Sequence, residues 1–390
     1  MELLSPEGLR LLDSIGDWDA KADVVKTVAA LRKQGHAPGL VAAVLSQARL
    51  RAKGRAKFGE FASRMLFTEP GLEQATRLNV AALHAGRFAR AGIAHVADLG
   101  CGIGGDALAL AAIELEVTAA DADEVTAAIA AYNLTPFPQA TVLHARAEEV
   151  ALGGIGGAWL DPARRVTSGG STRRLADASD YSPPLDFAFG LSERLPVGVK
   201  LGPGTDRGVI PAGAEAQWVS VDGDVVELAV WLGVLARPGV GRAALVIRGG
   251  EAHELTAPAD SPDEPVGELG AYVYEPDGGV IRARLIGDLA RSLDARMLSE
   301  GIAYLSGDRL VETPFARAFR VLERLPADER QLRRELASRG VGTLEIKKRG
   351  VDVDPAALRT RLKLSGAASA TIILTREAGR HIALLVERAD

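Results

Sequence analysis

The chain has 390 residues, of which 47% are hydrophobic and 25% are charged, and its formal net charge is −5. This composition is typical of a globular protein with two or three domains. No apolar stretch of about 18 residues could span a membrane, and the N-terminus lacks the basic and apolar segments of a signal peptide, so we expect a cytoplasmic protein. The single cysteine excludes intrachain disulfides and cysteine-based zinc sites, and the six histidines lack the spacing of a metal motif, so we expect no metal.

The charge is distributed unevenly along the chain. Residues 1–90 carry 14 basic and 9 acidic residues, residues 91–280 carry 11 and 27, and residues 281–390 carry 21 and 15. An acidic middle segment is therefore flanked by two basic ones. This asymmetry fits a polyanion held by the flanks, and it fits equally well arginine-rich helices with solvated faces.

The first 90 residues are predicted to form a helical N-terminal region, because apolar residues recur there at helical spacing. Pro38 and Gly39 mark a break between helices. Residues 47–57 distribute basic side chains around one helix, so this segment could follow a phosphate backbone or form an ordinary exposed surface. A further helix is predicted from Glu73 to Arg90. Its polar candidates for closing over a ligand carboxylate are Gln74, Thr76 and Arg77.

The most informative motif is an apolar strand that leads into a glycine-rich turn. Residues 94–99 predict a buried strand, and residues 98–104 read Asp-Leu-Gly-Cys-Gly-Ile-Gly before a helix that begins near Gly105. Glycine lets a backbone turn sharply and approach a ligand closely. A dinucleotide site prefers G-x-G-x-x-G and a helix N-terminus free for a pyrophosphate, whereas acidic Asp98 and Asp106 flank this turn. The motif therefore favours a cationic ligand without phosphate.

Strands and helices then alternate along the chain. Residues 116–121 predict a second strand whose last residue, Asp121, lies 21 positions after the first glycine of the turn, where a carboxylate can bind both ribose hydroxyls. A helix at 124–133 follows, and further strands are predicted at 140–144, 157–160 and 196–201. This alternation predicts a parallel, doubly wound sheet that binds ligands at the carboxyl ends of its strands.

The following segment predicts an antiparallel end to the sheet. Apolar residues at 216–221 and 225–232 flank an Asp-Gly-Asp turn and predict a hairpin. A last strand at 243–248 is expected to complete the edge of the sheet. Residues 254–268 are rich in proline and acidic residues without periodicity, which indicates a linker. The sheet domain is therefore expected to span residues 91–253.

Residues 269–390 predict a small α+β domain. It opens with a strand at 270–275 and a helix at 280–298. Two further strands and two helices follow, with a C-terminal hairpin. The predicted positions are strand 315–322, helix 328–339, strand 342–348, helix 355–362 and hairpin 370–375 with 381–387.

Four segments carry a resemblance to the bacterial class I S-adenosylmethionine-dependent methyltransferases with a C-terminal THUMP-like domain. They are Glu-Gln-Ala-Thr-Arg at 73–77, the glycine turn at 98–104, Leu-Asp-Pro-Ala-Arg-Arg at 160–165, and Gly-Thr-Leu-Glu-Ile-Lys-Lys-Arg-Gly at 342–350. The resemblance implies a Rossmann-like methyltransferase domain followed by a THUMP-like domain, with S-adenosylmethionine as the cofactor. Because THUMP-type domains bind RNA, it also implies an RNA methyltransferase.

The motif spacing and the resemblance together select candidate binding residues. In the family, the third strand usually ends in an acid that meets the adenine amino group. Arg146 holds that position here, so Glu148 is the candidate to replace it. The candidates for the cofactor are Asp98, Gly100, Cys101, Gly102, Gly104, Asp121, Ala122, Glu148 and Thr76, with Cys101 as a small residue in the turn. The candidates for RNA are Lys347, Lys348, Arg349 and Arg165.

The end of the fourth strand is the candidate acceptor site. Methyltransferases that act on planar nitrogens carry Asp or Asn, two prolines and an aromatic residue there. Asp161 and Pro162 match this pattern, whereas Ala163 and Arg164 depart from it. We expect Asp161, Pro162 and Arg164 to act on the acceptor, with base stacking left to the Arg164 guanidinium or to Tyr181. The alternative is that Asp161 only caps a helix or stabilises a turn.

The sequence therefore predicts methyl transfer from S-adenosylmethionine, with an RNA base nitrogen as the favoured acceptor and the basic segments holding the RNA. Two alternatives stay open. The chain could methylate a protein or a small molecule, or it could be a non-catalytic RNA-binding protein with a degenerate methyltransferase core.

Overall fold

The computed structural model describes residues 2–16, 24–164 and 181–389. The chain divides into two compact units. The first comprises Met1–Lys200 with Trp231–Leu235, and the second comprises Leu201–Val230 with Ala236–Asp390. In the three described ranges, no helix is both long and apolar enough to cross a membrane.

The first unit begins with a helical region, as predicted. Ser5 caps the first helix by accepting a hydrogen bond from the Gly8 N–H, and Pro6 occupies its first position. The predicted break at Pro38 is the start of the long third helix, where proline is also tolerated. The helices are α1 (Pro6–Ile15), α2 (Val24–Lys33), α3 (Pro38–Phe58), α4 (Glu69–Gln74) and α5 (Leu78–Arg90).

The predicted helix from Glu73 to Arg90 was wrong in its first turn. The chain forms two helices there, because α4 ends at Gln74 and α5 begins at Leu78. Ala75 and Arg77 have extended ψ angles of 138° and 139°. The carbonyl groups in this break accept hydrogen bonds from two lysines, described below, instead of from helical N–H groups.

The basic residues of α3 are engaged inside the first unit. Arg49 and Lys53 form ion pairs with Glu69, and Arg51 donates a 2.9 Å hydrogen bond to the Met65 carbonyl oxygen. These contacts stabilise the packing of the N-terminal helices. They favour the structural interpretation of this segment over phosphate binding.

The sheet of the first unit has the predicted Rossmann-like topology. Five strands lie in the order β7-β4-β1-β2-β3, and every pairing among them is parallel. A two-residue ribbon, β5 with β6, follows the end of β4. The strands are β1 (His95–Leu99), β2 (Glu116–Asp121), β3 (Ala140–His144), β4 (Gly157–Leu160), β5 (Ala163–Arg164), β6 (Tyr181–Ser182) and β7 (Val197–Leu201). The helices are α6 (Gly105–Ala112), α7 (Glu124–Leu134) and α8 (Leu185–Gly190).

An aromatic cluster packs against the Trp159 side chain of β4. The Trp159 ring lies 4.3 Å from the His84 ring and 5.3 Å from the Trp231 ring, centroid to centroid. On the neighbouring strand, a Cβ at Gly198 would lie 2.6 Å from the Trp159 ring, so only glycine fits. The Arg87 guanidinium lies 4.7 Å from the Trp231 centroid, within range of a cation–π interaction. This packing holds the strand that ends in the candidate acceptor residue.

The predicted hairpin strands are β8 (Glu215–Val221) and β9 (Asp224–Leu232), of which all but the last two residues of β9 belong to the second unit. Asp222 and Gly223 have φ angles of 52° and 98°, as a tight hairpin turn requires. The strand β10 (Arg242–Arg248) pairs in parallel with β8, but it is not the edge strand that the sequence predicted. Gly249 and Gly250 reverse the chain with φ angles of 58° and 88°, and β11 (Glu251–Ala257) pairs antiparallel with β10. The first residues of the predicted linker are therefore part of a strand.

The rest of the second unit is a seven-stranded sheet in the order β13-β14-β12-β15-β18-β17-β16. Its strands are β12 (Tyr272–Pro276), β13 (Arg296–Ser299), β14 (Ile302–Gly307), β15 (Ala316–Leu325), β16 (Val341–Lys348), β17 (Ala368–Glu377) and β18 (Arg380–Arg388). Its helices are α9 (Gly278–Arg282), α10 (Ile286–Ser292), α11 (Glu329–Ser338) and α12 (Pro355–Leu362).

The helix predicted at 280–298 was wrong, because two short helices and a strand occupy that segment. Arg284 and Asp294 have φ angles of 60° and 51°. A helix cannot continue through a left-handed residue, so α9 and α10 end before these positions.

Candidate active site at the carboxyl ends of the strands

The strand register places the candidate residues in one row. Leu99 of β1 pairs with Ala120 of β2 and with Leu160 of β4, and Leu160 pairs with Val199 of β7. The next residue on each strand continues the row. From β2 to β7, that row is Asp121, Gly100, Asp161 and Lys200.

The glycine turn docks on the end of β2. The N–H groups of Gly100 and Cys101 both donate 2.9 Å hydrogen bonds to the Ala120 carbonyl oxygen. The three alternate glycines have left-handed backbones, with φ angles of 87° at Gly100, 55° at Gly102 and 84° at Gly104. Such angles are strained for other residues, which explains the glycine spacing of the motif.

The turn also lies directly against the end of β4. A Cβ atom at Gly100 would stand 3.5 Å from the backbone oxygen of Asp161. The glycine motif and the candidate acceptor residue, 61 positions apart in the sequence, are therefore in van der Waals range.

Asp98 presents a buried carboxylate beneath the turn. Its side chain is 1% exposed, and within the described part of the chain its Oδ2 atom has no hydrogen-bond partner. Burial, followed by the negative charges of Asp106 and Asp161, raises the pKa of Asp98 well above its ordinary value. A cationic hydrogen-bond donor bound at the turn would satisfy this oxygen and favour its charged form.

Asp121 is held in a fixed orientation at the end of β2. Its Oδ2 accepts a 3.0 Å hydrogen bond from the Gly102 N–H, and its Oδ1 accepts a 2.9 Å hydrogen bond from the Asp123 N–H. Burial outweighs these hydrogen bonds and raises the pKa of Asp121. Each carboxylate oxygen keeps a further lone pair, so a diol can still bind to it.

A buried network that the sequence did not reveal lies behind the turn. Asp106, at the start of α6, accepts a 2.7 Å hydrogen bond from the Thr76 hydroxyl and a 2.9 Å one from His84 Nδ1. The carboxylate can only accept here, so Nδ1 carries the proton. Although burial opposes the charged form of Asp106, the hydrogen bond and charge of His84 and the charge of Lys200 outweigh it and lower the pKa. Thr76, a predicted cofactor residue, is buried and donates its hydroxyl proton to Asp106.

Two lysines hold the break between α4 and α5. Lys57 Nζ donates 2.7 Å hydrogen bonds to the carbonyl oxygens of Glu73 and Ala75. Lys200 Nζ lies 3.0 Å from the Thr76 hydroxyl and 3.3 Å from the Gln74 carbonyl oxygen. These contacts replace the helical hydrogen bonds that the predicted continuous helix would have made.

At the candidate acceptor position, Lys200 Nζ forms an ion pair with Asp161. Pro162 is buried, and Ala163 begins the short ribbon β5. Tyr181 is 2% exposed, so its ring is part of the core and is not presented for stacking on a base. The side chain of Arg164 and the whole of Arg165 lie outside the residues that the structure describes.

The remaining cofactor candidates lie around the turn or further from it. Cys101 is 8% exposed, and burial, followed by Asp98 and Asp121, raises the pKa of its thiol, as suits a packing residue. Ala122 is exposed, and its carbonyl oxygen lies 3.2 Å from His144 Nε2. Glu148 is exposed and pairs with Arg146 at 3.4 Å.

The three lysine and arginine candidates of β16 and its end differ in environment. Lys347 donates a 2.7 Å hydrogen bond to Glu275 and is 14% exposed. The Arg349 guanidinium lies 5.4 Å from the Tyr304 ring centroid, and Lys348 is exposed.

Comparison with known proteins identifies the family. A curated relative from Mycobacterium tuberculosis strain H37Rv is 35% identical over 354 residues, which cover 87% of this chain and 93% of the relative. Its name is "Uncharacterized S-adenosylmethionine-dependent methyltransferase", and the counterpart from strain CDC 1551 matches equally well. The chain belongs to the S-adenosylmethionine-dependent methyltransferases.

Two further comparisons support the architecture of this methyltransferase. A family model described as THUMP domain-like matches residues 316–388, and a model described as a domain of unknown function matches residues 1–54. A crystal structure of a methyltransferase from Porphyromonas gingivalis W83, 22% identical, has the same fold, with a TM-score of 0.74 over 91% of this chain and 92% of that chain. The predicted enzyme class, cofactor, fold class and THUMP-like domain are confirmed.

Proposed function

We propose that this enzyme transfers the methyl group of S-adenosylmethionine to a base nitrogen of an RNA. The observation that carries the proposal is the contact between the glycine turn and Asp161, across which a Cβ at Gly100 would stand 3.5 Å from the Asp161 backbone oxygen. A cofactor held at this turn would therefore lie close to Asp161.

The donor side offers groups that fit the cofactor. The Oδ2 atom of Asp98, which has no hydrogen-bond partner among the described residues, suits the ammonium of the methionine portion. The fixed carboxylate of Asp121 suits the ribose hydroxyls, and exposed Glu148 is the candidate for the adenine amino group. When bound, S-adenosylmethionine supplies a methyl group on a positively charged sulfur, which is a good leaving group.

The acceptor side needs only to position the nucleophile and receive a proton. Direct displacement at a methyl group depends mainly on the alignment of the reacting atoms. Asp161 accepts a hydrogen bond from the acceptor N–H and takes up its proton as the new N–CH₃ bond forms. Lys200 holds the Asp161 carboxylate in place for both tasks.

RNA is favoured as the acceptor on two grounds. THUMP-type domains bind RNA, and a THUMP domain-like model matches residues 316–388. The same part of the chain is basic, with 21 basic and 15 acidic residues in 281–390. A basic module attached to an acidic catalytic segment suits a polyanionic substrate.

Calorimetry with S-adenosylhomocysteine tests the donor side. We expect Asp121→Ala to weaken binding by about tenfold or more, since hydrogen bonds to a charged group contribute about 1.5–3 kcal/mol each. Asp123→Ala is the matched control, because it removes an acidic side chain that caps α7 and keeps the backbone N–H that binds Asp121. Equal affinities for the wild type and Asp121→Ala would contradict the assignment.

Transfer of tritium from labelled S-adenosylmethionine tests the acceptor. The enzyme is incubated with total RNA, with a protein extract and with a small-molecule extract in parallel. We expect label in RNA alone. Label in protein or in small molecules would show that these, and not RNA, contain the substrate. RNA binding without any transfer would indicate a non-catalytic protein.

A further inference from the structure

Helices α11 and α12 turn basic side chains outward from the C-terminal sheet. Leu332 and Leu336 of α11 and Leu358 and Leu362 of α12 are buried in one hydrophobic cluster with strands of that sheet. Each leucine pair has the i, i+4 spacing of one helix face. The opposite faces of both helices are therefore exposed.

The exposed face of α11 carries three arginines. Arg330, Arg333 and Arg334 follow the i, i+3, i+4 spacing that places side chains side by side. All three are exposed, and none forms an ion pair or a side-chain hydrogen bond within the described residues. Like charges at this spacing repel each other and destabilise the helix slightly. An anionic ligand bound beside them would reduce this repulsion.

Helix α12 extends the same surface. Arg361 of α12 shares its Nε–H between the two carboxylate oxygens of Glu329 of α11, each at 3.0 Å, and donates a 2.9 Å hydrogen bond from Nη2 to Oε2. This pair ties the helices together. Arg359 and Lys363 flank it, are exposed, and likewise have no partner in the part of the chain that the structure describes.

Side chains alternate between the two sides of β16, which places Lys348 on the side of the two helices and Lys347 on the opposite side. Leu344 and Ile346 face the cluster beneath the helices, and Lys348 lies two residues further on the same side of the strand. Lys347 points to the opposite side, where it contacts Glu275 and the Phe319 ring. Of the two adjacent lysines, only Lys348 joins the surface of α11 and α12.

The acidic residues of these elements are mostly engaged. Glu329 binds Arg361, and Glu335 binds Arg339. Asp328 and Asp354 cap the N-termini of α11 and α12 by accepting hydrogen bonds from backbone N–H groups. Asp352 is exposed on the loop that precedes α12. The surface formed by the two helices is thus positively charged.

We propose that this surface binds the phosphate backbone of RNA. We name it the α11–α12 surface, and its residues are Arg330, Arg333, Arg334, Lys348, Arg359 and Lys363. The proposal rests on the proposed function, in which RNA is the substrate. Contacts from arginine and lysine to phosphates position a nucleic acid without reading its sequence, and each releases counterions. By contrast, Arg49 and Lys53 of α3 are ion-paired within their own unit.

Fluorescence anisotropy with fluorescein-labelled bulk tRNA tests the surface. The variant carries Arg330→Ala, Arg333→Ala and Arg334→Ala. The control carries Arg320→Ala, Arg324→Ala and Arg388→Ala, which removes the same charge from exposed arginines that pair with Glu387, Glu377 and Glu345. We expect the variant to bind at least tenfold more weakly and to lower the salt slope of log K by about 2 to 3, whereas the control stays within about twofold of the wild type.

The outcomes separate this proposal from the proposed function. Equal losses in the variant and the control, or no loss in either, would overturn the α11–α12 surface while leaving RNA as the substrate. A wild-type enzyme that binds no tRNA would overturn both. Urea unfolding of the variant and the control serves as the folding check for the second unit, which contains all the substituted arginines, and calorimetry with S-adenosylhomocysteine checks the unit that contains the glycine turn.

Discussion

The Nζ atom of Lys200 lies 2.5 Å from Oδ2 of Asp161, at the carboxyl ends of two adjacent parallel strands. The two side chains follow the last paired residues of β7 and β4, so the sheet register itself brings them together. The Lys200 side chain is 12% exposed and that of Asp161 is 32% exposed. Lys200 is therefore largely shielded from solvent, whereas about a third of the Asp161 side chain stays accessible.

A double-mutant cycle measures the coupling between these residues. We expect Lys200→Met, Asp161→Asn and the double variant to show an interaction energy of about 1–2 kcal/mol in urea unfolding, because contacting charged groups couple in this range. Additive effects of the two single changes would argue that the pair contributes no specific interaction. We also expect Lys200→Met to lower methyl transfer to total RNA while its affinity for S-adenosylhomocysteine stays within about threefold, since Lys200 acts on the acceptor side.

The left-handed backbone at Gly100 gives a second expectation. Alanine at a φ of 87° costs about 1–2 kcal/mol. Gly154 has a φ of 82°, and a Cβ there would meet no atom within 4 Å, so Gly154→Ala carries the same strain away from the site. We expect similar losses in the free energy of unfolding for both variants. Only Gly100→Ala should weaken S-adenosylhomocysteine binding, by about tenfold or more. Weaker binding in Gly154→Ala as well would mean that strain alone lowers the affinity.

The parts of the site that the sequence predicted are those encoded locally. Asp121 ends an apolar strand, Asp98 is the last residue but one of another and begins the glycine turn, and Asp161 directly follows a third. The glycine spacing reflects backbone angles at the same positions. Lys200 has the equivalent place on β7, but Leu201 continues the apolar strand after it. No turn motif directly follows Lys200 to mark its position in the sequence. A lysine inside an otherwise apolar strand was the available signal.

The errors of the sequence prediction have tertiary causes. Nothing in Ala75, Thr76 or Arg77 breaks a helix by propensity, and the break depends on lysines from α3 and β7. The helix predicted across Arg284 and Asp294 failed because both adopt left-handed backbones, which these residue types rarely signal. The edge strand β11 was missed because its alternation is weak, with polar residues on both faces.

The buried network of Asp106 predicts a specific acid dependence. At pH 7 we expect Asp106→Asn to lower the free energy of unfolding by about 2 kcal/mol, because hydrogen bonds to a buried carboxylate contribute about 1.5–3 kcal/mol. The pKa of Asp106 in the folded protein lies below its ordinary value of 3.8. Ionised Asp106 therefore makes its full contribution to the free energy of unfolding above the ordinary pKa. That contribution is lost as the pH falls through the pKa of the folded protein.

Urea unfolding at several pH values checks this expectation. The difference between the wild type and Asp106→Asn should be constant from about pH 7 to pH 5 and should shrink below about pH 4. A difference that persists unchanged to about pH 3 would show that the charge of Asp106 does not carry the effect.

The environment of Lys57 predicts that the free energy of unfolding depends on pH in the alkaline range. Burial, followed by the positive charges of Lys200 and Arg77, lowers the pKa of Lys57 from 10.5 to about 8. Between these values the unfolded chain binds a proton that the folded protein has released, so the stability of the wild type rises with pH relative to Lys57→Met.

Lys53, four residues earlier on α3, pairs with Glu69 and Glu73, and its pKa is raised above 10.5. Lys53→Met should therefore show a constant difference from the wild type between about pH 8 and pH 10. If the Lys57→Met difference is also constant over this interval, burial does not lower the pKa of Lys57 in the folded protein.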